Sequence, residues 1–161
     1  MQPSINLEGL SAKQKSKILK LLERKEEIAK YGGHLYKIFP DEGPLAYYNY
    51  PRHMEFFKSG AIYKERLFLA ANRVGKSQAG AYEVACHATG VYPHWWEGRR
   101  FDTPVEAWVA GSTTVTTRDA PQRELIGPPS ELGTGMIARE LIEKTTPKHG
   151  TANAVDEIWV K

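Results

Sequence analysis

Apolar residues along this chain fall into two kinds of pattern, helical spacing and short uninterrupted runs. From residue 11 the spacing is helical. Ser11-Ala-Lys-Gln14 reads as a capping box, and Ile18, Leu21, Leu22, Ile28 and Ala29 recur at three- and four-residue intervals until Gly32-Gly33. Residues 34–65 break that period. Tyr36, Tyr47, Tyr48, Tyr50, Phe56, Phe57 and Tyr63 crowd around Pro40, Pro44 and Pro51, which predicts irregular chain and then a short helix over His53–Ser59. Arg66-Leu-Phe-Leu-Ala-Ala71 follows as a short apolar run, the mark of a buried strand.

The alternation continues downstream. Gln78–Thr89 has a helical pattern ending at Gly90, and Val91–Phe101 is a turn-rich connection heavy in aromatics. Val105-Glu-Ala-Trp-Val-Ala110 is a second buried-strand candidate, with Gly111–Thr114 as its loop. Thr116–Ile126 reads as a helix stopped by Gly127-Pro-Pro129, Met136–Glu143 as a short helix, and Asp156–Lys161 as the start of a strand. Strand, helix, strand, helix, strand predicts an α/β fold, a parallel sheet flanked by helices.

Length and composition narrow this only a little. The 161 residues suit one domain, or one domain with an appendage, and 41% apolar content with four tryptophans is enough for a core. No stretch nears the roughly 20 apolar residues of a membrane span, and the N-terminus lacks the pattern of a signal peptide. A lone cysteine, Cys86, excludes an internal disulfide and a multi-cysteine zinc site, so an intracellular soluble protein is expected. The net charge of +3 is unevenly placed: residues 1–31 hold seven Lys/Arg against four Asp/Glu, while residues 32–161 hold fifteen of each. Only a weak basic patch is implied, with no bulk field for gathering nucleic acid.

The chemistry concentrates in Ala70-Ala71-Asn72-Arg73-Val74-Gly75-Lys76-Ser77. This fits the phosphate-binding loop G-x-x-x-x-G-K-[ST] at every fixed position except the first, where Ala70 replaces Gly. A loop between a strand and a helix N-terminus aims consecutive backbone N–H groups into one concavity, and the helix dipole adds positive potential. Gly75 lets the backbone turn without a clashing Cβ. Lys76 would neutralise the β- and γ-phosphates of ATP, and the Ser77 hydroxyl would ligate Mg2+. Arg73 reads either as an arginine finger supplied in cis or as a solvated loop arginine.

Other groupings carry less. Cys86, His87 and His94 lack the spacing and the further ligands of a metal site, and read as packing or surface residues. Thr116, Thr117, Arg118, Asp119 and Gln122 form a polar cluster where a helix leaves the second strand candidate. A capped, solvated helix start is favoured there over contact with phosphate or DNA.

The segments YPRHMEFFKSGAIYKERLFLAANRVGKSQAGAYEVACHATGVYPHWWEGRRF, PVEAWVAGSTTVTTRDAPQRELIG, GTGMIARELI and VDEIWVK together resemble the terminase large subunits of tailed bacteriophages. The resemblance runs from about Tyr50, and ANRVGKS and TGVYPHWWEGRRF are its most specific pieces. It implies a P-loop ATPase of the additional-strand type, preceded here by an N-terminal helical segment. Residues 1–49 would be that helix and a Tyr/Pro-rich lead-in, and 50–161 the N-terminal portion of the ATPase domain. ATP and Mg2+ would be the cofactors, with Lys76 and Arg73 catalytic and Tyr50, Arg52 and His53 near the adenine. Double-stranded DNA, a portal protein and a small terminase subunit would be the partners, with oligomers formed only on the portal. The site of action would be the cytoplasm of the bacterial host, with no membrane involved.

In that family a hydrophobic Walker B strand ends in a catalytic glutamate, and a nuclease domain follows. Asp156-Glu157 does not fit that role, because Thr151–Val155 before it is too polar and short, and Ile158, Trp159 and Val160 come after it. The chain is therefore expected to be an incomplete ATPase domain without Walker B or nuclease. Two functions follow: the ATP-binding part of a DNA-packaging motor, or a truncated prophage remnant that binds nucleotide or a partner without catalysis. A P-loop kinase or GTPase is disfavoured, since no N-K-x-D motif or kinase lid is present.

Overall fold

The computed structural model describes residues 11, 13–19, 22 and 35–161. Helix α1 is described over 13–19 and starts as expected: Ser11 N–H donates to Gln14 Oε1 at 3.0 Å, and Gln14 N–H returns to Ser11 Oγ at 3.3 Å. Leu21, Ile28, Ala29 and the Gly32-Gly33 stop lie outside the described residues.

Aromatic packing organises the next stretch. Helix α2 (Leu35–Ile38) delivers Phe39 into the core, where its ring meets Tyr50, Phe57, Tyr82 and Trp95 edge-on at 5.1–6.1 Å between centroids. The prolines do keep residues 40–46 irregular, closed by Tyr47 N–H on Pro40 O at 3.1 Å. A 3-10 turn, Tyr47–Asn49, leads into α3 (Pro51–Ser59). This helix begins two residues before the expected His53, because Pro51 sits at its first position, where a missing N–H costs nothing. Tyr82 stacks on Trp95 at 13° between planes, and Tyr47 covers the same indole at 15°.

Helix α4 (Lys76–Thr89) is the central element. It is bounded by Gly75 and Gly90, both left-handed at φ 83° and 66°. It starts two residues earlier than the expected Gln78. Ala79, Tyr82, Ala85 and Cys86 recur along its buried face. Burial pushes both the Cys86 thiol and the Tyr82 hydroxyl well above their ordinary values, so neither ionises in the folded core near neutral pH.

Thr113 then caps α5 (Thr114–Thr117), its Oγ1 accepting from Thr116 N–H at 3.1 Å. The helix continues through a π segment (Arg118–Gln122) into α6 (Arg123–Ile126) and ends at Gly127, φ 86°. Pro121 lies inside it; the widened turn accommodates a residue that cannot donate to the ladder.

The segment after that helix departs from expectation. Met136–Glu143 is not a helix: only Arg139–Leu141 forms a 3-10 turn, and a strand starts at Ile142. The cause lies in the preceding helix end. Met136 N–H donates to Glu124 O at 2.9 Å and Ile137 N–H to Leu125 O at 2.8 Å, so the chain runs extended to satisfy α6's last carbonyls. Met136, Ile137 and Ala138 are all buried in succession, which suits that extended course.

Strands β1 (Ile142–Pro147) and β2 (Val155–Val160) form an antiparallel hairpin, with Ile142 opposite Val160 and Thr145 opposite Ile158. The expected strand at Asp156–Lys161 is thus present, and its partner is β1. It is the only strand pairing among the described residues. Arg66–Ala71 and Val105–Ala110, the other strand candidates, run without helix or ladder. Arg66 and Phe68 are partly covered, whereas Leu67 and Leu69 are 80% and 81% exposed and Trp108 is 91% exposed.

Candidate phosphate-binding site

The loop from Ala70 to Ser77 rises directly into α4. Ala70 through Val74 are exposed, and Gly75 and Lys76 are partly covered. Two residues turn it: Gly75 at φ 83° and Arg73 at φ 63°. Arginine gains nothing from a left-handed backbone, which costs a residue with a Cβ about 1–2 kcal/mol. The geometry therefore holds a locally unfavourable conformation in the middle of the loop.

No side chain caps the N-terminus of α4, and its first helical bond is Ala79 N–H to Gly75 O at 2.8 Å. The positive end of a fourteen-residue helix is therefore left for whatever enters the loop. Lys76 folds back across it, its Nζ donating to Ala70 O at 2.8 Å and Ala71 O at 2.5 Å. An ammonium, an uncapped helix end and an exposed turn thus share one small surface. Chemically that is a place for an anion with several oxygens.

His53 supports the loop from below. Its ring is buried and meets Phe68 at 5.3 Å, Tyr50 at 5.5 Å and Phe39 at 5.9 Å. A Cβ on residue 75 would stand 3.3 Å from His53 Nε2, so Gly75 serves space as well as conformation. Of the three residues expected near adenine, His53 abuts the loop and Tyr50 packs behind it. Arg52 is exposed and ion-pairs with Glu55 at 2.9 Å.

Ser77 lies exposed on the first turn of α4. No group of three or more His, Cys, Asp or Glu side chains arranged for a metal occurs among the described residues. Asp156 and Glu157 are exposed on the hairpin, the first paired with Lys148 at 2.5 Å and the second accepting from Thr146 Oγ1 at 3.3 Å. Cys86 is buried, His87 Nδ1 stands 3.1 Å from the Tyr92 hydroxyl, and His94 faces Asp41 in solvent at 3.6 Å, so these three do not converge.

The polar cluster at α5 is tied up internally. Gln122 Nε2 donates to Asn153 O at 3.1 Å and its Oε1 accepts from Val155 N–H at 2.9 Å; Arg118 Nη1 donates to Ala152 O at 2.9 Å. Hydrogen bonding from Arg118 also holds the Asp119 carboxyl below its usual range. Thr117 Oγ1 accepts from Gly111 N–H at 2.9 Å and donates to Thr113 O at 2.9 Å, and Thr116 Oγ1 lies 2.8 Å from Thr113 Oγ1. The cluster caps a helix and anchors a hairpin.

Sequence reading passed over Arg66 and Glu83, a half-buried ion pair that spans the loop. The available signal was Glu83 itself, a lone charge between Tyr82 and Cys86 on the apolar face of α4, where an unpaired carboxylate would be costly.

No helix among the described residues is long and apolar enough to cross a membrane. No family model matches the chain, and no solved structure does. The chain is 35% identical over 170 aligned residues to the terminase large subunit of Salmonella phage P22. That alignment takes in 96% of this chain but 32% of the phage protein, so the chain spans about a third of its relative's length.

Proposed function

The chain belongs to the terminase large-subunit family, and from that premise we propose that its Ala70–Ser77 loop binds the polyphosphate of ATP within a DNA-packaging motor. The observation that supports this most directly is the meeting of Lys76, the uncapped α4 N-terminus and the left-handed turn at Gly75. On binding, Lys76 would exchange the Ala70 and Ala71 carbonyls for β- and γ-phosphate oxygens. Asn72, Arg73 and Val74 would line the turn, with Arg73 free in solvent to reach the γ-phosphate. His53, with Tyr50 behind it, would flank the nucleotide.

Mg2+ fits this site in one respect: the Ser77 hydroxyl is exposed on the first turn of α4, where it could serve as an oxygen ligand to the metal. Magnesium keeps several waters and takes part of its ligands from substrate phosphates, so Ser77 would be one ligand among several. The metal would shield phosphate charge. The chain's own contribution is to bind and orient the phosphates. Asp156 and Glu157 stand exposed on the hairpin, engaged by Lys148 and Thr146, and supply no carboxylate to activate water at the loop, so we expect binding without turnover by these 161 residues alone. Double-stranded DNA, a portal and a small subunit would be partners of the whole protein, in the host cytoplasm.

The same reading makes Arg66–Ala71 and Val105–Ala110 strands of a parallel ATPase sheet. Strands covered on both faces are apolar on both. Phe68 is packed on one side and Leu67 and Leu69 are bare on the other, which supports that assignment.

Titration with a fluorescent ATP analogue tests the site. Lys76→Ala should weaken binding at least about tenfold, the loss of one charge-assisted contact worth about 1.5–3 kcal/mol. Unchanged affinity would sink the assignment.

A further inference from the structure

Two charged residues bracket the loop from outside it. Arg66 stands four residues before Ala70, where the chain enters, and Glu83 stands seven after Lys76, two turns into the helix that leaves. Arg66 Nη2 donates to both Glu83 carboxylate oxygens, at 2.9 and 3.0 Å. Its other nitrogen, Nη1, donates to Phe56 O at 2.8 Å, and the guanidinium lies 4.5 Å from the centre of the Phe56 ring. One side chain thereby joins α3, the segment entering the loop and α4.

Gly60 makes room for this pair. Its φ of −64° is ordinary for any residue, yet a Cβ there would stand 2.9 Å from Arg66 Nη1 and 3.1 Å from Glu83 Oε1. Space, not backbone freedom, is what the glycine supplies. Two residues beyond Arg66 on the same face, Phe68 stacks on Phe56 at 4.7 Å and meets His53, whose Nε2 faces Gly75. The contacts therefore run unbroken from the ion pair to the turn of the loop. A largely buried ion pair adds little net stability over an apolar pair, since desolvation offsets attraction. Here, though, the planar guanidinium forks between two partners, Nη2 on the Glu83 carboxylate and Nη1 on Phe56 O, and that rigid fork fixes their separation closely.

We propose that Arg66 and Glu83 are positioning residues of the nucleotide site, a clamp that sets the distance between the chain entering the loop and the helix leaving it. The inference rests on the phosphate-loop reading. With that distance set, Lys76 and the open end of α4 meet the polyphosphate already aimed. The pair itself touches no ligand. Without the fork, the loop samples wider openings, and each productive one is less populated.

The test is a titration of the full chain with a fluorescent ATP analogue, reading both the dissociation constant and the number of sites. Arg66→Lys keeps the charge and loses the fork; Glu83→Gln keeps the shape and loses the charge. Each should raise the dissociation constant about tenfold with the number of sites unchanged. A pair that only supported folding would lower the number of sites and leave the constant alone, and that result overturns the proposal. If both variants melt below the assay temperature, Gly60→Ala decides, because it presses on the pair without removing either charge. It should weaken binding several-fold, and wild-type affinity in it overturns the proposal. Failure of the wild-type chain to bind the analogue would overturn the phosphate-loop reading and the clamp with it.

Discussion

Two loops in this molecule share an uncommon backbone feature and resolve it in opposite ways. The hairpin loop between β1 and β2 has Gly150 at φ 79° and Asn153 at φ 62°; the loop before α4 has Gly75 at φ 83° and Arg73 at φ 63°. In the hairpin, the non-glycine is asparagine, one of the few residues that tolerates this region. The carbonyls around it are held by Arg118 and Gln122 from the neighbouring helix. In the loop before α4 the residue is arginine, and among the described residues the side chain gripping the loop carbonyls is Lys76. The hairpin's turn is compensated within the fold. The other loop's turn is compensated less, as suits the ligand site proposed there.

Four substitutions sharpen or break that contrast. The largest stability loss should come from Gln122→Ala, which strips two hydrogen bonds from the hairpin and leaves Asn153 O and Val155 N–H without their partner. We expect about 2–3 kcal/mol and a melting point lower by about 5–10 °C, with ATP-analogue affinity unchanged. Affinity falling in step with stability would show the two loops to be coupled.

Gly75→Ala should come next, at about 1–2 kcal/mol, because alanine is strained at that φ and its methyl approaches His53. Here the binding signal should vanish while circular dichroism still reports a folded chain. Retained binding would mean that the turn is not part of the site. Asn153→Ala should cost about 1 kcal/mol in denaturant melts, for losing the residue best suited to its turn.

Arg73→Ala should be the smallest in stability, within about 0.5 kcal/mol, since the Cβ and its strain are both kept. Its effect should appear in affinity, as a several-fold weakening for the triphosphate and less for the diphosphate. Equal weakening for both would place Arg73 away from the terminal phosphate.

Much of the backbone was legible where signals are local. The close of α4 was marked by Gly90, the start of α1 by Ser11 and Gln14, and the close of α6 by Gly127, each a residue whose own chemistry terminates or opens a helix. Met136–Glu143 misled because its course is set by carbonyls of a helix ten residues earlier, which no local period records. The turn before α4 was legible at Gly75, whose left-handed backbone is the one expected of a glycine there. The ion pair behind it was not: Arg66 and Glu83 are seventeen residues apart and meet only through the fold. Of the residues expected near adenine, inward His53 and outward Arg52 carry no local signal that separates them, since helical phase on α3 depends on what Phe57 packs against.

Lys76 in its present position has a chemical consequence. An ammonium that already donates to two carbonyls has one hydrogen left to offer, so entry of the proposed ligand would be in large part an exchange reaction. A singly charged anion offers too little to displace both carbonyls, while a chain of phosphates offers several oxygens at once. The loop before α4 would thus act, in that reading, as a filter by charge multiplicity. On the proposed function it would discriminate among anions before the shape of base or sugar is felt.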